Sequence, residues 1–295
     1  MYYLIFNPTA GAGRSVKALQ QVQQYLNQKD IQYEVATTQY AGHAMELAES
    51  AIGKGYEGIL SVGGDGTLRE IAQAIKNTYE TLGVIPAGTG NDFRCSIGVP
   101  RDPIEAVDII LQNNRRVIDI GLLEDGKAFL NVAGTGFDVD VIKYTDKVRR
   151  VTTGALAYYL GIVMSLFAYK GVNLRITANG KTFVRKVLLI AIANGRCYAG
   201  GLMVAPHSDV TDGLFNVVVI GSMPSRRILF ELPKMQHGRP ETIPGTETFQ
   251  CSELTIECDN KMTFNLDGEL YGQTPMTFRV SPAALRVFCG DYGSL

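Results

Sequence analysis

Through its first third the chain keeps switching between two hydrophobic periods. Short apolar runs at 2–6, 32–37, 58–62 and 83–85 have the length and β-branched content of buried strands. Each gives way to a stretch in which apolar residues recur every three or four positions, at 16–28, 43–53, 68–77 and 103–113. Strand and helix in alternation means βαβ units, which predicts a parallel sheet covered by helices. In such sheets ligands bind beyond the carboxyl ends of the strands. Residues 7–11, Thr38, 63–67 and 88–91 all follow strands directly, so topology alone sends them to one edge of the sheet.

Beyond Asp119 the texture changes. Strand-like runs at 128–133, 172–178, 182–193, 214–220, 253–258, 261–266 and 277–280 are punctuated by turn pairs such as Asn179-Gly180 and Asp259-Asn260. With one helical stretch among them, at 151–169, they predict a β-sandwich-like lobe. Short crossings near Asp119 and Ser281 are expected to join the two parts.

Composition narrows the class. A chain of 295 residues with 46% hydrophobic and 19% charged positions has enough apolar material for one large or two ordinary cores. A net charge of −1 gives no electrostatic case for nucleic acid. The five cysteines are odd in number and form no Cys-x-x-Cys pair, which predicts reduced thiols in the cytoplasm and no zinc site. His43, His207 and His237 fit no transition-metal spacing and read as structural or surface residues. No basic segment leading into an apolar one opens the chain, so secretion is not expected.

The chemistry concentrates at Ser61-Val62-Gly63-Gly64-Asp65-Gly66-Thr67, where a strand ends in glycines around a lone acid and a helix begins. Glycines let backbone approach a bulky anion, and a helix start aims N–H groups and a partial positive charge at it. Asp65 would repel a bare phosphate, so its presence suggests a bridging Mg²⁺ or a hydroxyl to be activated. An ordinary strand-to-helix turn is the competing reading. The chain has no Gly-x-x-x-x-Gly-Lys-Ser/Thr loop to hold phosphates in the Walker manner.

Three further stretches accompany this one: Asn7-Pro8-Thr9-Ala10-Gly11-Ala12-Gly13-Arg14, Pro86-Ala87-Gly88-Thr89-Gly90-Asn91-Asp92-Phe93 and Phe264-Asn265-Leu266-Asp267-Gly268-Glu269. In that order the four motifs resemble the diacylglycerol kinase catalytic family, in particular its soluble bacterial lipid kinases. The departures are Ala10, where serine is frequent, and Arg94-Cys95, where the family often has Ala-Arg. The resemblance covers essentially the whole chain. It implies an α/β ATP-binding lobe over 1–120, completed by 283–295, a β-rich lipid-substrate lobe over 121–282, and an active site between them.

On the same resemblance ATP phosphates would be held by Asn7, Pro8, Thr9, Ala10, Gly11, Gly63, Gly64, Gly66 and Thr67. Thr38 and Thr89 would add contacts, Glu70 would lie beside the loop, and Asn91 and Asp92 would order the cleft. Asp65 would organise catalytic Mg²⁺. Glu269 would take the proton of the acceptor hydroxyl, with Asp267 as its support or alternative. Left to themselves, Thr38 could simply end a strand, Asp92 could be an N-cap, and Asp267-Gly268 could be a plain hairpin turn. A second, structural Mg²⁺ would sit at Asp212 with the carbonyls of Asp209 and Leu214, unless Asp212-Gly213 is an ordinary turn. The expected activity is transfer of the γ-phosphate of ATP to a lipid hydroxyl, diacylglycerol first. Another lipid alcohol and an inactive nucleotide- or lipid-binding regulator are the rivals.

Residues 151–169 carry no charge and follow Lys147, Arg149 and Arg150. Their length touches the membrane-spanning threshold, but two glycines, two threonines, a serine and three tyrosines favour a helix packed on the β-rich lobe. Its outer face, with the basic residues, would dock on anionic lipid at the inner face of the membrane. A homodimer is left open.

Overall fold

The computed structural model describes residues 1–148, 164, 165, 169 and 171–291. The N-terminal lobe is built on four parallel strands, β1 (Tyr2–Phe6), β2 (Tyr33–Thr37), β3 (Gly58–Gly63) and β4 (Thr81–Pro86). Their order across the sheet is β2-β1-β3-β4. Helices α1 (Arg14–Gln28), α2 (His43–Ala51), α3 (Asp65–Ile75) and α4 (Pro103–Leu111) cover both faces. In β1, Leu4 and Phe6 face Val22, Leu26, Val107 and Ile110, while Ile5 faces Ala44, Ala48, Ile71 and Ile75. The strand's period of two thus feeds two separate cores. Local chemistry fixes the start of α4. Asp102 caps α4 by accepting from the N–H groups of Ile104 and Glu105 at 2.8 and 3.1 Å, with Pro103 in the first turn.

The second lobe holds β5 (Arg115–Leu123), β6 (Ala128–Phe129), β7 (Val132–Gly136), α5 (Phe137–Val148), β8 (Val172–Ala178), β9 (Lys181–Ala193), β10 (Cys197–Tyr198), β11 (Leu202–Met203) and β12 (Phe215–Gly221). It continues through α6 (Ser225–Gln236), β13 (Thr246–Cys251), β14 (Glu253–Glu257), β15 (Thr263–Leu266), β16 (Glu269–Gln273) and β17 (Met276–Phe288). Its core gathers Phe129, Leu174, Ile190, Ile192, Phe215, Val217, Phe264 and Phe278 from strands far apart in sequence.

Strands β5 and β17 pair antiparallel, with an irregularity between Ser281 and Leu285. There the carboxylate of Asp119 accepts the N–H groups of Ala283 (2.8 Å) and Gly213 (2.7 Å). Beyond the irregularity β17 runs parallel to β4, with Arg286 opposite Thr81, so one strand is hydrogen-bonded within both lobes.

Among the described residues the second lobe has helices α5 and α6 besides the helical Met164 and Ser165, where one helix at 151–169 was expected. That stretch, with Arg149 and Arg150, lies outside the described residues apart from Met164, Ser165 and Tyr169, as do residues 292–295. The start of α5, Phe-Asp-Val-Asp-Val, alternates apolar and acidic residues as a strand would, and α6 carries Pro233 within it. Both disguise the helical period. Among the described residues no helix is long and apolar enough to cross a membrane.

Candidate active site

Asp65 opens the first turn of α3, directly after the strand-ending Gly63 and its neighbour Gly64. Its carboxylate accepts the N–H groups of Asn91 (2.7 Å) and Asp92 (3.0 Å), which ties turn 63–67 to loop 88–92. The two loops touch backbone to backbone. A Cβ on Gly88 would stand 2.5 Å from the Cα of Gly64, so neither loop could approach as it does with a side chain there. Asn91 also accepts from the Gly88 N–H at 3.3 Å. Loop 7–11 joins them through the Asn7 amide, which donates to the Thr67 hydroxyl at 3.0 Å and accepts from the Thr9 N–H and hydroxyl. Arg14 reaches the Thr89 hydroxyl at 3.1 Å.

From the second lobe comes the hairpin β15–β16, whose two-residue turn is Asp267-Gly268. Both residues have positive φ (49° and 93°), the geometry of a tight hairpin turn, and Leu266 pairs with Glu269 across it. The plain-turn reading therefore holds for the backbone. The Asp267 side chain does something else: partly buried, it accepts the N–H groups of Leu130, Asn131 and Val132 at 2.7 to 3.0 Å. Glu269 ends beside the first lobe. A Cβ on Gly66 would lie 3.0 Å from its Oε1, and its Oε2 is ion-paired with the Nη2 of Arg69.

The acids crowd one another. Burial pushes Asp65 up to about 6, the Asp92 charge adds to it, and the two backbone N–H groups oppose the shift. Asp92 is raised by burial, then by Asp267, against the Gly200 N–H that it accepts at 2.8 Å. Asp267 is raised by burial, with its N–H donors and the Arg69 charge pulling the other way. Such a cluster gains from a cation. Mg²⁺ takes oxygen ligands, one or two carboxylates completed by phosphate oxygens and water, and the Asp65–Asp92 pair suits that donor set. Among the described residues no three acids, histidines or cysteines converge as a complete metal cage.

Other expected residues make contacts of their own. Thr38 follows β2 and donates its N–H to the Phe6 carbonyl at 2.8 Å. Glu70 spends its carboxylate on the N–H groups of Gly42 (2.9 Å) and Ala44 (3.2 Å), capping the start of α2. Pro8, Ala10 and Gly11 lie in the loop and short helical turn between β1 and α1. Asp209 and Asp212 sit apart, around the Asp119 crossing. Asp209 accepts from Thr211, and Asp212 from the Leu214 N–H at 2.9 Å, so each closes a turn of its own loop. Their donors, carboxylates and carbonyls, suit Mg²⁺ in type. A dent of about 410 Å³ bordered by Tyr2, Asp30, Gln32 and Glu57 lies at the opposite, amino-terminal edge of the sheet, away from this chemistry.

Sequence reading missed Arg69, although its place one helical turn after Asp65 puts it on the same face of α3. It also missed the Gly200 link from the β10–β11 turn to Asp92, which no local pattern encodes.

Residues 1–123 match the diacylglycerol kinase catalytic domain, and residues 131–289 match the YegS C-terminal NAD kinase beta sandwich-like domain. A diacylglycerol kinase of Bacillus subtilis (strain 168) is 30% identical over 281 residues, spanning 93% of this chain and 91% of its own. The chain belongs to the diacylglycerol kinase family. A diacylglycerol kinase of Mycobacterium tuberculosis (strain ATCC 25618 / H37Rv) is 29% identical over 293 residues, covering 97% of this chain and 94% of its own. The fold matches the crystal structure of a diacylglycerol kinase from Bacillus anthracis str. Sterne, with a TM-score of 0.72 at 20% identity over 98% of this chain and 96% of that one. Membership makes the protein a lipid kinase in the broad sense, an enzyme that transfers phosphate to an alcohol.

Proposed function

We propose that this kinase moves the γ-phosphate of ATP to the hydroxyl of diacylglycerol, giving phosphatidic acid. The observation that carries the reading is Glu269 lying against Gly66, so that a carboxylate of one lobe faces the glycine turn of the other. Loop 7–11 and turn 63–67, linked through Asn7 and Thr67, offer backbone N–H groups and short hydroxyls to the phosphates. Phosphoryl transfer asks chiefly for this positioning and for charge neutralisation. Asp65 and Asp92 would hold Mg²⁺, which when bound supplies positive charge to the phosphate oxygens. The acceptor hydroxyl attacks in line with the leaving diphosphate, and its proton passes to a carboxylate oxygen of Glu269. Asp267, locked by three N–H groups, holds the turn from which Glu269 projects.

Contact with an anionic membrane belongs to the same reading. Helix α6 leaves Leu229 and Phe230 exposed, the latter at 80%, beside Arg226 and Arg227. It packs against β11, whose hairpin with β10 carries Gly200 to Asp92.

The deciding experiment supplies γ-labelled ATP, Mg²⁺ and a lipid panel in mixed micelles to wild type, Asp65→Asn and Glu269→Gln. Label should enter phosphatidic acid, with each variant slower by about a hundredfold or more. Label in a different lipid replaces the acceptor, and ATP binding without labelled lipid replaces the kinase by a regulator. Variants at wild-type rate would remove the assigned roles.

A further inference from the structure

We propose that Arg69 is a positioning residue that acts through Glu269, an inference that rests on Glu269 being the proton acceptor. Glu269 begins β16 directly after a tight turn, and its side chain is about half exposed. A glutamate in that situation samples several rotamers, and holding it in one costs side-chain entropy. Arg69 is only 3% exposed, fixed on a buried face of α3 that also carries Leu68, Ile71 and Ala72. Its Nη2 holds Glu269 Oε2, which leaves Oε1 against Gly66 in the glycine turn. The buried partner thus supplies the order that the exposed one lacks.

Two features set the pair apart from an ordinary surface ion pair. It spans the two lobes, from a helix that starts at Asp65 to a hairpin that turns at Asp267. The guanidinium is also incompletely used, since its buried Nη1 has no protein partner among the described residues. An arginine kept for structure alone would have its buried donors satisfied. Its charge also bears on Asp267, so it is a cation set among the acids of the cleft.

The test is a double-mutant cycle on the full chain with Arg69→Met, Glu269→Gln and the double variant, and Arg69→Lys beside it. Misplacing a reacting group by about 1 Å can cost on the order of a hundredfold in rate. Arg69→Met should therefore lower kcat by about a hundredfold with KM for ATP within about twofold, and Arg69→Lys should restore most of it. In the Glu269→Gln background Arg69→Met should change kcat by less than about twofold, because the group it positions has gone. Equal losses in both backgrounds would overturn the proposal, as would wild-type kcat in Arg69→Met. Wild-type turnover in Glu269→Gln would instead remove the base assignment, and the proposal with it. If Arg69→Met melts early, the same cycle with Arg69→Gln, which keeps a polar amide but loses the charge and the planar fork, gives the same decision.

Discussion

Asp138 is a buried acid without a full set of partners. It accepts one hydrogen bond from the Asn265 amide at 3.2 Å, while its Oδ1 has none among the described residues. Burial pushes it from 3.8 up to about 6, and the Asn265 and α5 N–H donors only partly oppose this. Because the folded value is the higher one, its contribution is fully present below about pH 4 and is lost as pH rises through about 6. At pH 8 the ionised group costs up to about 3 kcal/mol. Asp138→Asn should therefore raise Tm at pH 8 by several degrees, with the gain shrinking towards zero at pH 4 in melting curves taken across that range. A gain independent of pH would show that packing rather than charge is responsible. The same Asn265 accepts the Gly268 N–H at 2.8 Å, so one residue of the late motif braces both the buried acid and the turn that precedes Glu269. Asp65, Asp267 and Glu269 were legible because each sits in a compact local pattern. Arg69 was not, since its partner lies two hundred positions away by number and no spacing rule reaches that far.

Among the elements, the first lobe was easier to read than the second. Its buried strands and amphipathic helices each show a single clean period, and the observed boundaries move by only a few residues, as with α3, which begins at Asp65 rather than Leu68. In the second lobe β17 extends from Met276 to Phe288, well past the expected 277–280, because Pro282 and Ala283 fall at the irregularity and hide its continuation. Loop 209–214 raises a separate question of occupancy. Burial raises Asp212, and the charges of Asp209 and Asp119 add to it, a crowding that Mg²⁺ would relieve. A chelator should then lower Tm by roughly 3 °C in the wild type, and Asp212→Asn should abolish that response. Identical melting with and without chelator in both proteins would leave the loop an ordinary pair of turns.

For the whole molecule, the proposed membrane contact rests on Leu229 and Phe230, which α6 leaves exposed while it packs on β11. Phe230→Ser should weaken co-sedimentation with vesicles containing anionic phospholipid by about tenfold, since a buried Phe contributes about 1.5–3 kcal/mol. Its turnover of lipid dispersed in mixed micelles should stay at the wild-type level. Unchanged sedimentation would send the docking surface elsewhere.

The strand shared between lobes also constrains how the molecule comes into being. Ala284, Leu285 and Val287 of β17 belong to the core around α2 and α3, although β4, the neighbour of this strand, is made far earlier in synthesis. Until β17 arrives, the emerging α/β lobe has an open edge at β4 and part of its core unfilled. It must wait for the second lobe to be synthesised before it can close, so the growing chain passes through a long interval in which apolar surface and an unpaired edge are available to chaperones or to other chains.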